Sequence, residues 1–138
     1  MKILIAEDEK ILARVLKDEF ESEGINVVLA ETGKAALKIM KSKANRPDLV
    51  LLDLLMPVMD GFAVLEEASK DKTNNLRDIP IVVLSNLGQD QEIKRAMNLG
   101  AIDYFVKAQH PILEVVERVK EYLEKSKNIA TKKRKNYK

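Results

Sequence analysis

The chain of 138 residues contains no cysteine and no tryptophan, only three phenylalanines, three tyrosines and a single histidine. Without cysteine there is no disulfide framework, no thiolate zinc site and no cysteine nucleophile. The pattern fits a reducing compartment. With so few aromatics the core must be mainly aliphatic, drawn from an ordinary 46 % hydrophobic content. No apolar run approaches the roughly 20 residues that span a bilayer. The opening "MKILIAEDE" turns acidic after a short apolar stretch, whereas a secretory signal needs a longer apolar region and a small-residue cleavage site. The expectation is one soluble, cytoplasmic domain with no membrane partner.

The formal net charge of +2 conceals an asymmetry. The last 13 residues, "SKNIATKKRKNYK", hold six Lys or Arg and no acid, which leaves 18 basic against 22 acidic residues in the body. The basic character therefore sits in a tail, read as a disordered segment over 126–138 that follows a domain over 1–125.

Within that domain, apolar runs alternate with helical patterns. "KILIA" (2–6), "NVVLA" (26–30), "DLVLLD" (48–53), "IPIVVLS" (79–85) and "AIDYFVK" (101–107) read as five strands. Between and after them come helical faces: Ile11, Leu12, Val15, Leu16 and Phe20; Ala36, Leu37, Met40 and Ala44; Phe62, Leu65 and Ala68; Ile93, Ala96 and Met97; Ile112, Val115, Val116, Val119 and Leu123. Gly24 and Gly100 are helix stops, Asp60 a cap, and "KDKTNNLRD" (70–78) a polar loop. Strict alternation of strand and helix predicts an α/β fold: a parallel sheet covered on both faces. Right-handed crossovers with one reversal give the flavodoxin-like (βα)5 three-layer sandwich, strand order 2-1-3-4-5.

Ligands in such sheets bind beyond the carboxyl ends of the strands. Strand 1 delivers Glu7, Asp8 and Glu9 there; strand 3 delivers Asp53, strand 4 Ser85 and strand 5 Lys107. Each has an ordinary explanation. Asp8 could cap the first helix, Glu7 could be a solvated loop acid, Ser85 a turn residue and Lys107 an exposed strand end. Asp53 resists one, because apolar residues surround it and a lone buried carboxylate is costly.

The chemistry coheres. Clustered carboxylates repel unless a cation intervenes, and all-oxygen ligation suits Mg²⁺. Lys107 adds a second positive charge and Ser85 a hydrogen-bond donor. A carboxylate so placed can accept a phosphoryl group. The residues thus read as a site for Mg²⁺-assisted phosphoryl transfer onto Asp53.

At this point the sequence resembles the response-regulator receiver domains of two-component signalling, over about residues 1–125. "ILIAEDE" resembles the family's first strand and acidic pair, "DLVLLDLLMPVMDGF" its phosphoacceptor segment, "IPIVVLSN" its hydroxyl-bearing strand and "GAIDYFVK" its last strand. The resemblance implies that Asp53 is the phosphoacceptor. It implies that Mg²⁺ is held by Asp8, Asp53, the backbone carbonyl of Leu55 and waters, with Glu7 acting through one. It further implies a sensor histidine kinase or phosphotransfer protein as donor, with Lys107 and Ser85 binding the new phosphoryl oxygens. Ser85 and Tyr104 would form the switch, Tyr104 turning inward as Ser85 moves. The fourth helix, fifth strand and fifth helix would present the changed surface to a downstream protein, with a phosphorylation-linked homodimer as a further state. Such a domain is a signalling switch that catalyses only its own phosphorylation and dephosphorylation.

Two departures stand out. Many receivers follow the lysine directly with proline, often in a cis peptide. Here Ala108, Gln109 and His110 intervene before Pro111, so a cis bond after Lys107 is not expected. Asn86 stands where a small residue is common. The tail is too short for a helix-turn-helix module, so a stand-alone receiver acting through protein contacts is the simplest expectation. Nucleic acid is not expected as a partner beyond what the basic tail could touch. Three other readings compete. A degenerate, phosphorylation-independent binding receiver conflicts with the complete set of Glu7, Asp8, Asp53, Ser85 and Lys107. A Mg²⁺-dependent aspartyl-phosphate phosphatase would usually carry its nucleophile on the first strand. A flavin-binding relative would need a phosphate cradle where this chain has "EDE".

Overall fold

The computed structural model describes the backbone of residues 1–136 and the side chains of residues 1–126. Its elements run β1 (Lys2–Ala6), α1 (Lys10–Ser22), β2 (Asn26–Ala30), α2 (Gly33–Lys41), β3 (Leu49–Leu52), α3 (Gly61–Lys70), β4 (Ile81–Ser85), α4 (Asp90–Asn98), β5 (Asp103–Val106) and α5 (Ile112–Asn136). The strands form one parallel sheet in the order β2-β1-β3-β4-β5, the order that the sequence predicts.

Alternation along each strand makes two cores. Leu4, Ala6, Val50, Leu52 and Val83 point to the side covered by α2 and α3. Ile3, Ile5, Leu49, Leu51 and Val82 point to the side where Phe20 of α1 and Val115, Val119 and Leu123 of α5 pack. Central strands buried on both faces explain the near-continuous aliphatic runs. Helix starts are fixed locally. Thr32 Oγ1 accepts from the Ala35 amide at 3.0 Å, and Asp60 Oδ1 from the Ala63 amide at 2.9 Å.

The structure corrects several expectations. Ile11 and Val15 face solvent, 84 % and 39 % exposed, because the buried stripe of α1 is Ala13, Leu16 and Phe20. Ala44 lies beyond the end of α2, and Met97 of α4 is exposed. The polar loop at 70–78 hides a 3₁₀ turn, Leu76–Asp78, whose Leu76 is fully buried. One apolar residue in nine gives no periodicity from which to detect it. The α5 backbone is helical to Asn136, past the expected domain boundary at residue 125. The segment 126–136 has neither Gly nor Pro to stop a helix. The side chains after Ser126, and with them any role of the tail, lie outside the described residues.

Val58 adopts φ 68° in the loop after β3, and the Met59 amide donates to the Pro57 carbonyl at 2.7 Å, closing a γ-turn. That conformation is strained for a β-branched residue, by roughly 1–3 kcal/mol. Val58 is 83 % exposed, so its side chain contributes little packing. Val58→Gly is therefore expected to stabilise the protein by about 1 kcal/mol, after glycine's extra unfolded-state entropy is subtracted. The check is a raised urea midpoint with an unchanged slope; a lowered midpoint would show that the loop does not hold this strain.

Candidate functional site

Three of the key side chains are positioned by the sheet itself. The amides of Glu7, Asp53 and Lys107 each continue the ladder one step past a strand end, donating to the carbonyls of Ala30, Ala6 and Ser85 at 2.8–2.9 Å. Asp53 thus sits just beyond β3, and Ser85 closes β4. Glu7 and Asp53 are each only 4 % exposed, and Ser85 is fully buried. The loop leading away is held close. A Cβ on Gly61 would meet the Asp53 carbonyl oxygen at 2.4 Å and Leu54 Cα at 2.7 Å, so only glycine permits α3 to start there.

Asp53 has both oxygens engaged. Oδ1 accepts from the Leu55 amide at 3.0 Å and Oδ2 from Lys107 Nζ at 2.9 Å. Lys107 Nζ also meets Glu7 Oε1 at 2.6 Å and Glu9 Oε2 at 2.7 Å. One ammonium, its side chain 10 % exposed, thus bridges three carboxylates. Glu9 is the residue that sequence reasoning left without a role; the triple "EDE" was the only signal, and spacing does not say which acid reaches Lys107. Asp8 is exposed and is not the helix cap, since α1 begins at Lys10 with Glu9 in the cap position. Instead, Asp8 offers a carboxylate oxygen within 4.8 Å of oxygens on both Glu7 and Asp53.

The charges are unbalanced, and the protonation of the site shows it. Burial pushes the Glu7 carboxyl up to about 8, with Asp53 adding to the rise, although Lys107 pulls the other way. Burial alone would lower Lys107, but its bonds to Glu7, Glu9 and Asp53 win and hold its ammonium above the usual lysine range. Folding therefore raises Glu7's proton affinity. The contribution of this group to stability is full below its ordinary value near 4.5 and is lost as pH rises through about 8. In EDTA, thermal stability attributable to Glu7 should fall between pH 5 and 8. Glu7→Gln should remove that slope; an unchanged slope in the variant would show that Glu7 is not its source.

Tyr104 is turned onto the β4–α4 connection. Its hydroxyl donates to the Leu87 carbonyl, and the Leu87 amide in turn contacts Ser85 Oγ at 3.4 Å. Burial, with the nearby charges of Glu92 and Asp53, pushes the Tyr104 hydroxyl up to about 12, so it remains a donor. The structure thus joins Glu7, Asp8, Glu9, Asp53 and Lys107 in one charged cluster. Ser85 and Tyr104 meet through Leu87. Among the described residues every peptide is trans, Lys107–Ala108 included. No helix among them is long and apolar enough to cross a membrane.

Comparison with known proteins agrees with this geometry. The response regulator receiver domain family matches residues 3–129. Among curated relatives, a probable transcriptional regulator ycf27 of Cyanophora paradoxa is 36 % identical over 92 % of the chain and 50 % of its own length. The alkaline phosphatase synthesis transcriptional regulatory protein PhoP of Bacillus subtilis is 34 % identical over 91 % of the chain and 49 % of its own length. The chain spans about half the length of these relatives. The receiver domain of Francisella response regulator 1452 superposes with a TM-score of 0.80 at 30 % identity, covering 91 % of this chain and 98 % of that one.

Proposed function

This chain belongs to the response regulator receiver domain family, and from that premise we propose that Asp53 accepts a phosphoryl group and thereby switches the surface formed by α4, β5 and α5. The observation that carries the reading is the placement of Asp53. It is buried and fixed by backbone at a strand end, between the ammonium of Lys107 and the carboxylates of Glu7 and Asp8. The donor would be the phosphohistidine of a sensor kinase or phosphotransfer protein. A carboxylate oxygen of Asp53 forms the new P–O bond, the P–N bond breaks, and the imidazole leaves with its electron pair.

The donor set suits Mg²⁺: three carboxylates, no sulfur and no imidazole among the converging groups. Asp8, Asp53 and the Leu55 carbonyl would hold it, with Glu7 acting through a water; bound there, it would neutralise charge on the acceptor and on the transferring oxygens. Lys107 is freed from one carboxylate partner as Asp53 becomes an acyl phosphate, and its ammonium follows the new phosphoryl oxygens. Ser85, at the end of β4, donates to another of them. That movement pulls on Leu87, to which Tyr104 is already bonded, and so reaches α4 and β5. The readout is a downstream protein that binds the altered face.

Incubation of the full chain with Mg²⁺ and acetyl phosphate tests the proposal. Intact mass should rise by one acid-stable, hydroxylamine-labile phosphoryl group, and EDTA should prevent it. No mass gain in Mg²⁺ would overturn the assignment.

A further inference from the structure

One stretch of the domain is basic with no compensating acid. Residues 33–46, "GKAALKIMKSKANR", carry five cations and no acid, while the rest of 1–125 has 13 basic against 22 acidic residues. Lys34, Lys38 and Lys41 stand at i, i+4 and i+7 on α2, one row on one side of the helix, and all three are exposed. By helical rise the row is about 10 Å long. Among the described residues no ion pair involves Lys34, Lys38 or Lys41. The acid that Lys41 influences, Asp71, is committed to the amide and side chain of Asn74 at 2.7 and 3.2 Å.

The row borders an open groove of about 560 Å³ lined by Thr32, Lys34, Ala35, Leu37, Lys38 and Lys41. Ala35, Leu37 and the lysine stems give it an apolar lining beneath the charged heads. Duplex nucleic acid would satisfy the charges but has no aliphatic side chain to place in the groove. Lysines, unlike arginines, also offer no bidentate fork to phosphate. An amphipathic helix with acids one turn apart satisfies both the charge and the apolar lining. The chain's own α5 exposes Glu114, Glu117 and Glu121, but each already has a neighbouring His110, Lys120 or Arg118.

We propose that the lysine row of α2 is a docking surface for an acidic amphipathic helix of another protein, separate from the α4–β5–α5 face. The inference stands on charge and shape alone and does not require that Asp53 be phosphorylated.

The probe is a synthetic helical peptide with glutamates at i, i+4 and i+7 and leucines between them, titrated into the ¹⁵N-labelled full chain. Amide shifts should map to α2. Binding should weaken roughly tenfold or more in the Lys34→Glu/Lys38→Glu/Lys41→Glu variant and also at high salt. A Lys→Gln triple variant gives the same reading if charge reversal disturbs folding, and acetyl phosphate labelling should stay intact in either. A scrambled peptide of the same composition should bind more weakly. Four results would overturn the proposal: no shifts on α2 at millimolar peptide, equal binding of the scrambled peptide, tighter binding of a duplex oligonucleotide to the row, or sedimentation showing the row occupied by a second copy.

Discussion

Asp53→Asn is expected to abolish phosphoryl uptake from acetyl phosphate while leaving the fold intact. The amide cannot form the acyl phosphate, since its nitrogen lone pair is delocalised and its oxygen carries no full charge. Yet Asn has nearly the same shape, and its oxygen can still accept from the Leu55 amide, which holds the start of the loop. The exchange also removes a negative charge beside Glu7. That charge is one of the causes raising the Glu7 carboxyl, so the loss of stability with rising pH should be smaller in the variant. Intact mass and a pH series of melts read both effects. Labelling of Asp53→Asn equal to that of the wild type would move the acceptor elsewhere, and Asp8 would be the next acid to replace.

Lys107→Ala should have the largest effect on stability. Lys107 lies 2.6, 2.7 and 2.9 Å from three carboxylates, two of which are buried. Removing the cation leaves Glu7 and Asp53 facing each other without compensation. Breaking a buried pair in this way costs about 3–5 kcal/mol, which corresponds to a fall in Tm on the order of 10 °C in EDTA. The loss should be greatest near pH 8, where Glu7 is driven to ionise, and smaller near pH 5.5, where a proton on Glu7 can take the place of the ammonium. Mg²⁺ should restore part of it. The variant should still take up a phosphoryl group, with weaker coupling to α4 and β5. An unchanged Tm at pH 8 in EDTA would mean that the carboxylates do not depend on Lys107.

The sheet order was legible because two independent patterns converged: aliphatic runs too continuous for half-exposed strands, and helical faces between them. The cluster was legible because its members follow the ends of three strands, and topology places strand ends together. What escaped was set by packing. Ile11 and Val15 look like core residues in the helical pattern, yet Ala13 takes the inward position beside Leu16 and Phe20. Leu76 is buried from within a polar loop. Glu9 reaches Lys107 only through the path of the chain as it enters α1, and the bond of Tyr104 to the β4–α4 connection depends on a carbonyl, which sequence does not record.

Under the proposed function, helix α4 would set the energy scale of signalling. Ala96 is its only buried residue. Tyr104's bond to the preceding connection and the stacking of Arg95 on Phe62, 4.2 Å from the ring centroid, add to that anchor. An element anchored by so little apolar area can shift without disrupting either core, whereas moving α5 would expose Val115, Val119 and Leu123. A new covalent group can bias an equilibrium only by the difference in its contacts between two states, a few kcal/mol at most for two or three charge-assisted hydrogen bonds. That is enough to reposition α4 but not to remodel the sheet. The amides of α4 should therefore exchange with deuterium through small, local openings, while those of β1, β3 and β4 exchange only with global unfolding. The signal would travel through the part of the molecule that is thermodynamically nearest to letting go.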